Sequence, residues 1–458
     1  MTVDRSRLPQ PGPTPAFQFP PIARASLPNG LGVWTVRHAA IPVATVMLLV
    51  PRGYGEDPAG KAGLAALTVD LLDEGTGEVS AIAFHEALAR VGAQLDSDIG
   101  PDAAVFTLTV LQRFLRPAID LLAQALVRPA LRDADVTRVR QLRLHRLAQL
   151  RDMPGAIADR AILQHLYGTH PYGHAPLGNT ASVEALTRDD VEAWHRAYLR
   201  PSEATLVVSG DCRHDDVVAM AAEAFGDWAG TSAARAEAAA PVSADARLHV
   251  IARPGAPQSE LRIGHVGVAR QTPDYHALVA ANMVLGGQFS SRLNLNLREA
   301  KGLTYGVRTS FDFRRLAGPF LFSGSLQTSG TAVAIREVFR EIDGLRGDRP
   351  VSDEELALAV AALTRGYART FETAEQLARA AAQLALYGLP DTYFDEFVPR
   401  MMQVTPADVV RVAQAHLNPD RLVTVMVGEP GAVGGGMTTA LLGLGLGIPS
   451  VTAPEHYA

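Results

Sequence analysis

The sequence predicts an α+β fold of two duplicated halves, each an antiparallel sheet with helices packed on one face. Three observations predict it: an internal repeat, a plan of hairpin strands with helices grouped between them, and a polar linker near the middle. The repeat is the sharpest. LTRDDVEAWHRAYLRPSEATLVVSGD begins at Leu186, and VTPADVVRVAQAHLNPDRLVTVMVGE begins at Val404. Aligned without a gap, Thr187 meets Thr405, Asp190 meets Asp408, Pro201 meets Pro419 and Gly210 meets Gly428. Each threonine is placed to cap a helix, with an acid three residues on to close a capping box. Each proline ends its helical region, and the apolar runs ATLVVSG and LVTVMVG that follow read as buried strands.

In the first half, LGVWTVR at Leu31 and VATVMLLV at Val43 read as strands. GAQLDSDIG and AAVFTLTV alternate like an antiparallel pair. Helices are expected over 61–73, 80–91, 114–126, 133–151 and 156–167. The second half follows the same plan. Its strands are ELRIGHVGV, YGVRTSFDF and GPFLFSGSL, and its helices cover 274–285, 290–300, 332–345, 353–370 and 374–387. The organisation is then a Pro-rich tail over 1–21, a first half over 22–232, a linker over 233–246, a second half over 247–430 and a Gly-rich tail over 431–458. The last tail is expected to add little to the core.

Composition narrows the function. Hydrophobic residues make up 47% and charged residues 20%, and the net charge is −6, which gives no electrostatic case for nucleic acid. Cys212 is the single cysteine, so an internal disulfide cannot form. The apolar stretch from Met437 to Thr452 is interrupted by glycines and a proline and is shorter than the roughly 20 residues that cross a bilayer. No secretory signal is visible in the first residues. A soluble cytoplasmic protein with no membrane and no nucleic-acid partner is expected.

The segment GGQFSSRLNLNLREAKGLTYGV, Gly286 to Val307, resembles the second half of the insulinase/pitrilysin-like zinc peptidases, of the mitochondrial processing peptidase type. LPNGLGVWTV, GLAALTVDLLDEGT, GAQLDSD and HPYGHAPLG follow the same resemblance in order, over residues 22 to 430. It implies that Arg298, on a helix, and Tyr305, just after it, bind substrate and stabilise an oxyanion. A phenol and a planar guanidinium suit that work. It also implies a clam-like assembly that binds extended peptides, with Gly92 to Asp98 in the edge-strand region.

One departure is decisive. Catalytic members carry His-x-x-Glu-His on the first helix, where two imidazoles hold zinc and the glutamate activates water. Here that stretch is Ala66-Leu67-Thr68-Val69-Asp70. The later region expected to supply a third ligand, Thr137 to Leu150, contains no carboxylate. The chain is therefore expected to bind no cofactor. Zinc would lie on a homologous zinc-motif partner in a heterodimer, and this chain would be the non-catalytic, substrate-binding subunit of a metalloendopeptidase. A structural scaffold or a peptide-binding protein without proteolysis is the alternative. Asp70, Asp73 and Glu74 read as exposed acids, His165, His170 and His174 as a structural loop, and His85-Glu86 lacks a second histidine. On the bland reading, Arg298 would pair with Glu299 and Tyr305 would join the core.

Overall fold

The computed structural model describes residues 12, 17–235, 240–241, 247–432 and 446–457. Most of the N-terminal tail, most of the linker and 433–445 lie outside the described residues. The strands of the first half are β1 (Ile22–Ser26), β2 (Gly32–Arg37), β3 (Val43–Val50), the short hairpin β4 (Gly75–Thr76) and β5 (Val79–Ser80), β6 (Asp96–Ile99), β7 (Ala104–Leu111) and β8 (Thr205–Gly210). The second half holds β9 (Leu248–Ala252), β10 (Gln258–Val266), β11 (Val307–Phe311), β12 (Pro319–Gln327), β13 (Val423–Gly428) and β14 (Ser450–Thr452).

Among the described residues two six-stranded sheets form, in the orders β1-β2-β8-β3-β7-β6 and β11-β12-β10-β13-β9-β14. Read from opposite ends the orders superimpose: β2 matches β9, β8 matches β13, β3 matches β10, β7 matches β12 and β6 matches β11. The duplication seen in sequence is thus a duplication of topology. Most neighbours are antiparallel, but β2–β8, β9–β13 and β9–β14 run parallel, so each sheet is mixed. Parallel pairing follows from the long helical excursions that separate those strands in sequence. The two capping boxes are present. Thr187 Oγ1 accepts from Asp190 N at 3.3 Å, and Thr405 Oγ1 accepts from Asp408 N at 3.2 Å. Each acid returns a bond to its threonine N–H at 3.0 Å.

Helices cover both faces of each sheet, and each half lends a helix to the other. Ala44, Val46, Leu48 and Val50 of β3 point into the first half's own core, among Leu67, Leu122 and Trp194. The alternate residues Met47 and Leu49 point the other way, against Leu377, Ala381 and Leu384 of the second-half helix Ala374–Tyr387. Reciprocally, Ile157, Ile162 and Leu166 of the first-half helix Pro154–Tyr167 lie on Ile251, Val425 and Val427 of the second sheet. Coverage of both faces explains why every residue of β8 and β13 is buried and why their sequences do not alternate apolar with charged residues.

A polar latch closes the same seam. Buried Asp102 accepts from Tyr172 Oη and, at 2.7 Å, from Arg315 N. Burial, then the Asp102 charge, pushes the Tyr172 phenol up, so it stays a donor.

The C-terminal tail departs from expectation. Its described part adds β14 beside β9, in the place β1 holds in the first sheet. Tyr457 is buried, with its hydroxyl 2.8 Å from His165 Nε2 and its carbonyl accepting from Arg160 Nε at 2.7 Å. The small residues that argued against a core role precede a segment that packs.

His276 gives the fold a pH dependence. Burial first, then the charges of Arg400 and Arg270, hold its imidazole down at about 4, from an ordinary 6.5. The unfolded chain therefore binds the extra proton between these values, and stability is lost as pH falls from 6.5 toward 4. Urea midpoints should drop across that window, and His276→Asn should flatten the drop.

Candidate functional site

Arg298 and Tyr305 are set by one continuous segment. The helix Tyr275–Asn282 widens into a π-turn, Met283–Gly287. Glycine is required there, because a Cβ on Gly286 would come within 2.6 Å of Thr309 Oγ1. A short helix, Arg292–Asn294, runs into a second π-turn, Leu295–Ala300, which carries Arg298. Gly302 then turns the chain with φ of +63°, and the path reaches β11 through Thr304-Tyr305-Gly306.

Arg298 is constrained on two sides. Its Nε donates to Glu299 Oε1 at 2.9 Å, and its guanidinium carbon lies 3.0 Å from the Phe289 ring centroid. Nη1 has no hydrogen-bond partner among the described residues. The pairing with Glu299 matches the bland expectation for Arg298. Tyr305 does not match it, for the residue is 95% exposed and precedes the strand. Tyr305 stands in a largely exposed stretch, between residues 299–302 and the buried start of β11. Beside these residues lies a cleft of about 510 Å³, with Phe289, Asn294, Gly306, Arg308 and Ser323 on its walls.

The first-half stretch that the resemblance aligns with the zinc motif is built differently. Ala66 and Val69, on the helix Leu64–Asp70, are buried and offer no donor. Asp70 is ion-paired to Arg143 of the helix Asp133–Leu150. The Arg143 side chain is 3% exposed and also donates to Pro176 O at 3.3 Å. A zinc site needs three protein donors. This position provides one carboxylate, already neutralised by a guanidinium, so the residues do not fit a zinc ion. Glu74 pairs with Arg138, and Asp73 lies 3.6 Å from His85. Burial lifts the Asp73 carboxyl above the usual range, and the His85 charge partly offsets this.

The three histidines of the HLYGTHPYGH segment make separate contacts. His165 stacks on His249 at 3.5 Å, His170 Nδ1 accepts from Tyr172 N at 3.0 Å, and His174 lies 3.2 Å from Asp57. Asp57 in turn accepts from Gly63 N and Ala65 N at 2.7 Å each, capping the first helix. Among the described residues, no three or more His, Cys, Asp or Glu side chains are grouped to hold a metal ion. Nor is any described helix long and apolar enough to cross a membrane.

Sequence reasoning missed Phe289, Asn294, Thr304 and the Asp70–Arg143 pair. Phe289 carried a weak signal, an aromatic between two glycines and two serines. The others carried none, because their roles depend on partners brought together by the turns.

The Insulinase (Peptidase family M16) model matches residues 33–180, and the Peptidase M16 inactive domain model matches residues 185–363. The chain belongs to the insulinase (M16) family. Among its M16 relatives, an uncharacterized zinc protease of Mycobacterium tuberculosis is 27% identical over 89% of this chain and 93% of its own length. A probable mitochondrial-processing peptidase subunit beta of Schizosaccharomyces pombe is 26% identical over 58% of this chain and 59% of its own. A crystal structure of a peptidase M16 inactive domain from Pseudomonas fluorescens is similar with a TM-score of 0.83 and 26% identity, covering 89% of this chain and 98% of that one. A Helicobacter pylori protease, at 19% identity and a TM-score of 0.81 over 89% and 99% of the two chains, shares the fold.

Proposed function

We propose that this M16 chain is the non-catalytic, substrate-binding subunit of a heterodimeric zinc metalloendopeptidase. In this reading Arg298 and Tyr305 reach an active site whose zinc lies on a homologous partner chain. The observation that carries the reading is Tyr305, a fully exposed phenol on a turn that follows, along one segment, the constrained guanidinium of Arg298. Such a pair can donate hydrogen bonds to substrate carbonyls and to an oxyanion. It cannot activate water, and the first-half position that would hold zinc carries the Asp70–Arg143 pair instead. Resemblance to a processing-peptidase beta subunit supports a partner of the same family.

The Arg298–Glu299 pair is the one observation on the side of a scaffold without proteolysis. The reading requires Glu299 to yield Arg298 to substrate, which is feasible because Glu299 is exposed and its ion pair is worth little in water. Co-expression with a zinc-motif relative from the same source tests it. A stable complex that hydrolyses peptides is expected. A chain that forms no such complex, or a complex as active as the relative alone, would contradict it.

A further inference from the structure

We infer that Thr304 and Asn294 are positioning residues that fix the turn on which Tyr305 stands; the inference rests on the reading above. A phenol exposed to solvent gains nothing from packing, so its direction is set by its backbone. Here that backbone is tied on both sides. The Thr304 hydroxyl donates to Ser325 O of β12 at 2.7 Å and accepts from Gly306 N at 3.1 Å. The residue before Tyr305 is thus bound to the sheet, and the residue after it is bound to Thr304.

Asn294 holds the far side. Its Oδ1 accepts from Val307 N at 3.0 Å, and its Nδ2 donates to Val307 O at 2.9 Å. The amide therefore acts as a one-residue strand against the outer edge of β11. The same Nδ2 group donates to Gln288 O at 3.0 Å, next to the Phe289 that lies over Arg298. Asn294 is 3% exposed, so these bonds form without competition from water. One buried amide links the loop that steadies the guanidinium to the turn that presents the phenol.

Neither residue touches substrate in this account; both act through Tyr305. A misplacement of a donor by about 1 Å is enough to reduce turnover severely. Thr304 suits a test because valine keeps its shape and serine keeps its hydroxyl. In the active complex, Thr304→Val is expected to lower kcat/KM about tenfold, mainly through kcat, with the melting midpoint unchanged. Thr304→Ser is expected to retain wild-type turnover. In a Tyr305→Phe background, Thr304→Val should cause no further loss, because nothing remains to position. In the chain alone, the Gly306 amide should exchange with deuterium faster in Thr304→Val.

Wild-type turnover in Thr304→Val would overturn the inference. So would the same tenfold loss in the Tyr305→Phe background, which would show a role elsewhere. If Tyr305→Phe is itself silent, the functional reading falls and takes this inference with it. If Tyr305→Phe is impaired and Thr304→Val is not, only the inference falls.

Discussion

Replacing Arg298 with alanine in the assembled peptidase is expected to lower kcat/KM by about a hundredfold, and Tyr305→Phe by a similar factor. The magnitude follows from removing one donor that meets developing negative charge in the transition state. Lysine at 298 should restore only part of the loss, since an ammonium has no planar fork to bind two acceptors or to stack on Phe289. Tyr305→Phe should lower the rate without unfolding the chain, because the residue is 95% exposed. Steady-state peptide hydrolysis with melting curves in parallel separates these outcomes. Unchanged turnover in both variants would leave the chain a scaffold.

The second large effect concerns stability. Asp70→Ala is expected to destabilise the chain by about 2 kcal/mol, because the buried Arg143 guanidinium would lose its counter-charge. The Asp70 side chain is itself 51% exposed, which lets water repair part of the loss and keeps the figure below that of a fully buried pair. The double variant Asp70→Ala, Arg143→Met should recover most of it, since an apolar side chain of similar length needs no partner. Added zinc should leave the urea midpoint of the natural chain unchanged, as a guanidinium already sits beside the available carboxylate. A silent Asp70→Ala would show that the pair holds nothing together.

The sequence made some of this legible and hid the rest for physical reasons. Capping boxes are local, so Thr187-Asp190 and Thr405-Asp408 could be read directly and proved to be duplicated helix starts. β8 and β13 could be read because burial on both faces leaves a mostly apolar run without charges. What covers those faces could not. The apolar stripe of Leu377, Ala381 and Leu384 announces a packed helix but not that it packs on the other half's sheet. The strand β14 was hidden by glycine-rich sequence before it, and its pairing needs an edge formed by β9, about two hundred residues earlier in the chain.

The candidate site divides the same way. Arg298 and Tyr305 stood out through a family-like phrase, and the structure shows one as exposed as a surface residue can be and the other tied to Glu299. Asp70 and Arg143 lie on different helices, so their pairing could not be read from either segment. Without that pair the missing ligands read only as an absence. With it, the position has a positive description as an ion pair bridging the two helices.

The most direct test of the account is the zinc content and peptide hydrolysis of this chain purified alone, of its zinc-motif partner alone, and of the two together. The account predicts no stoichiometric zinc and no hydrolysis in this chain, one zinc per heterodimer carried by the partner, and strong hydrolysis only in the mixture. Tightly bound zinc together with hydrolysis in this chain alone would contradict it.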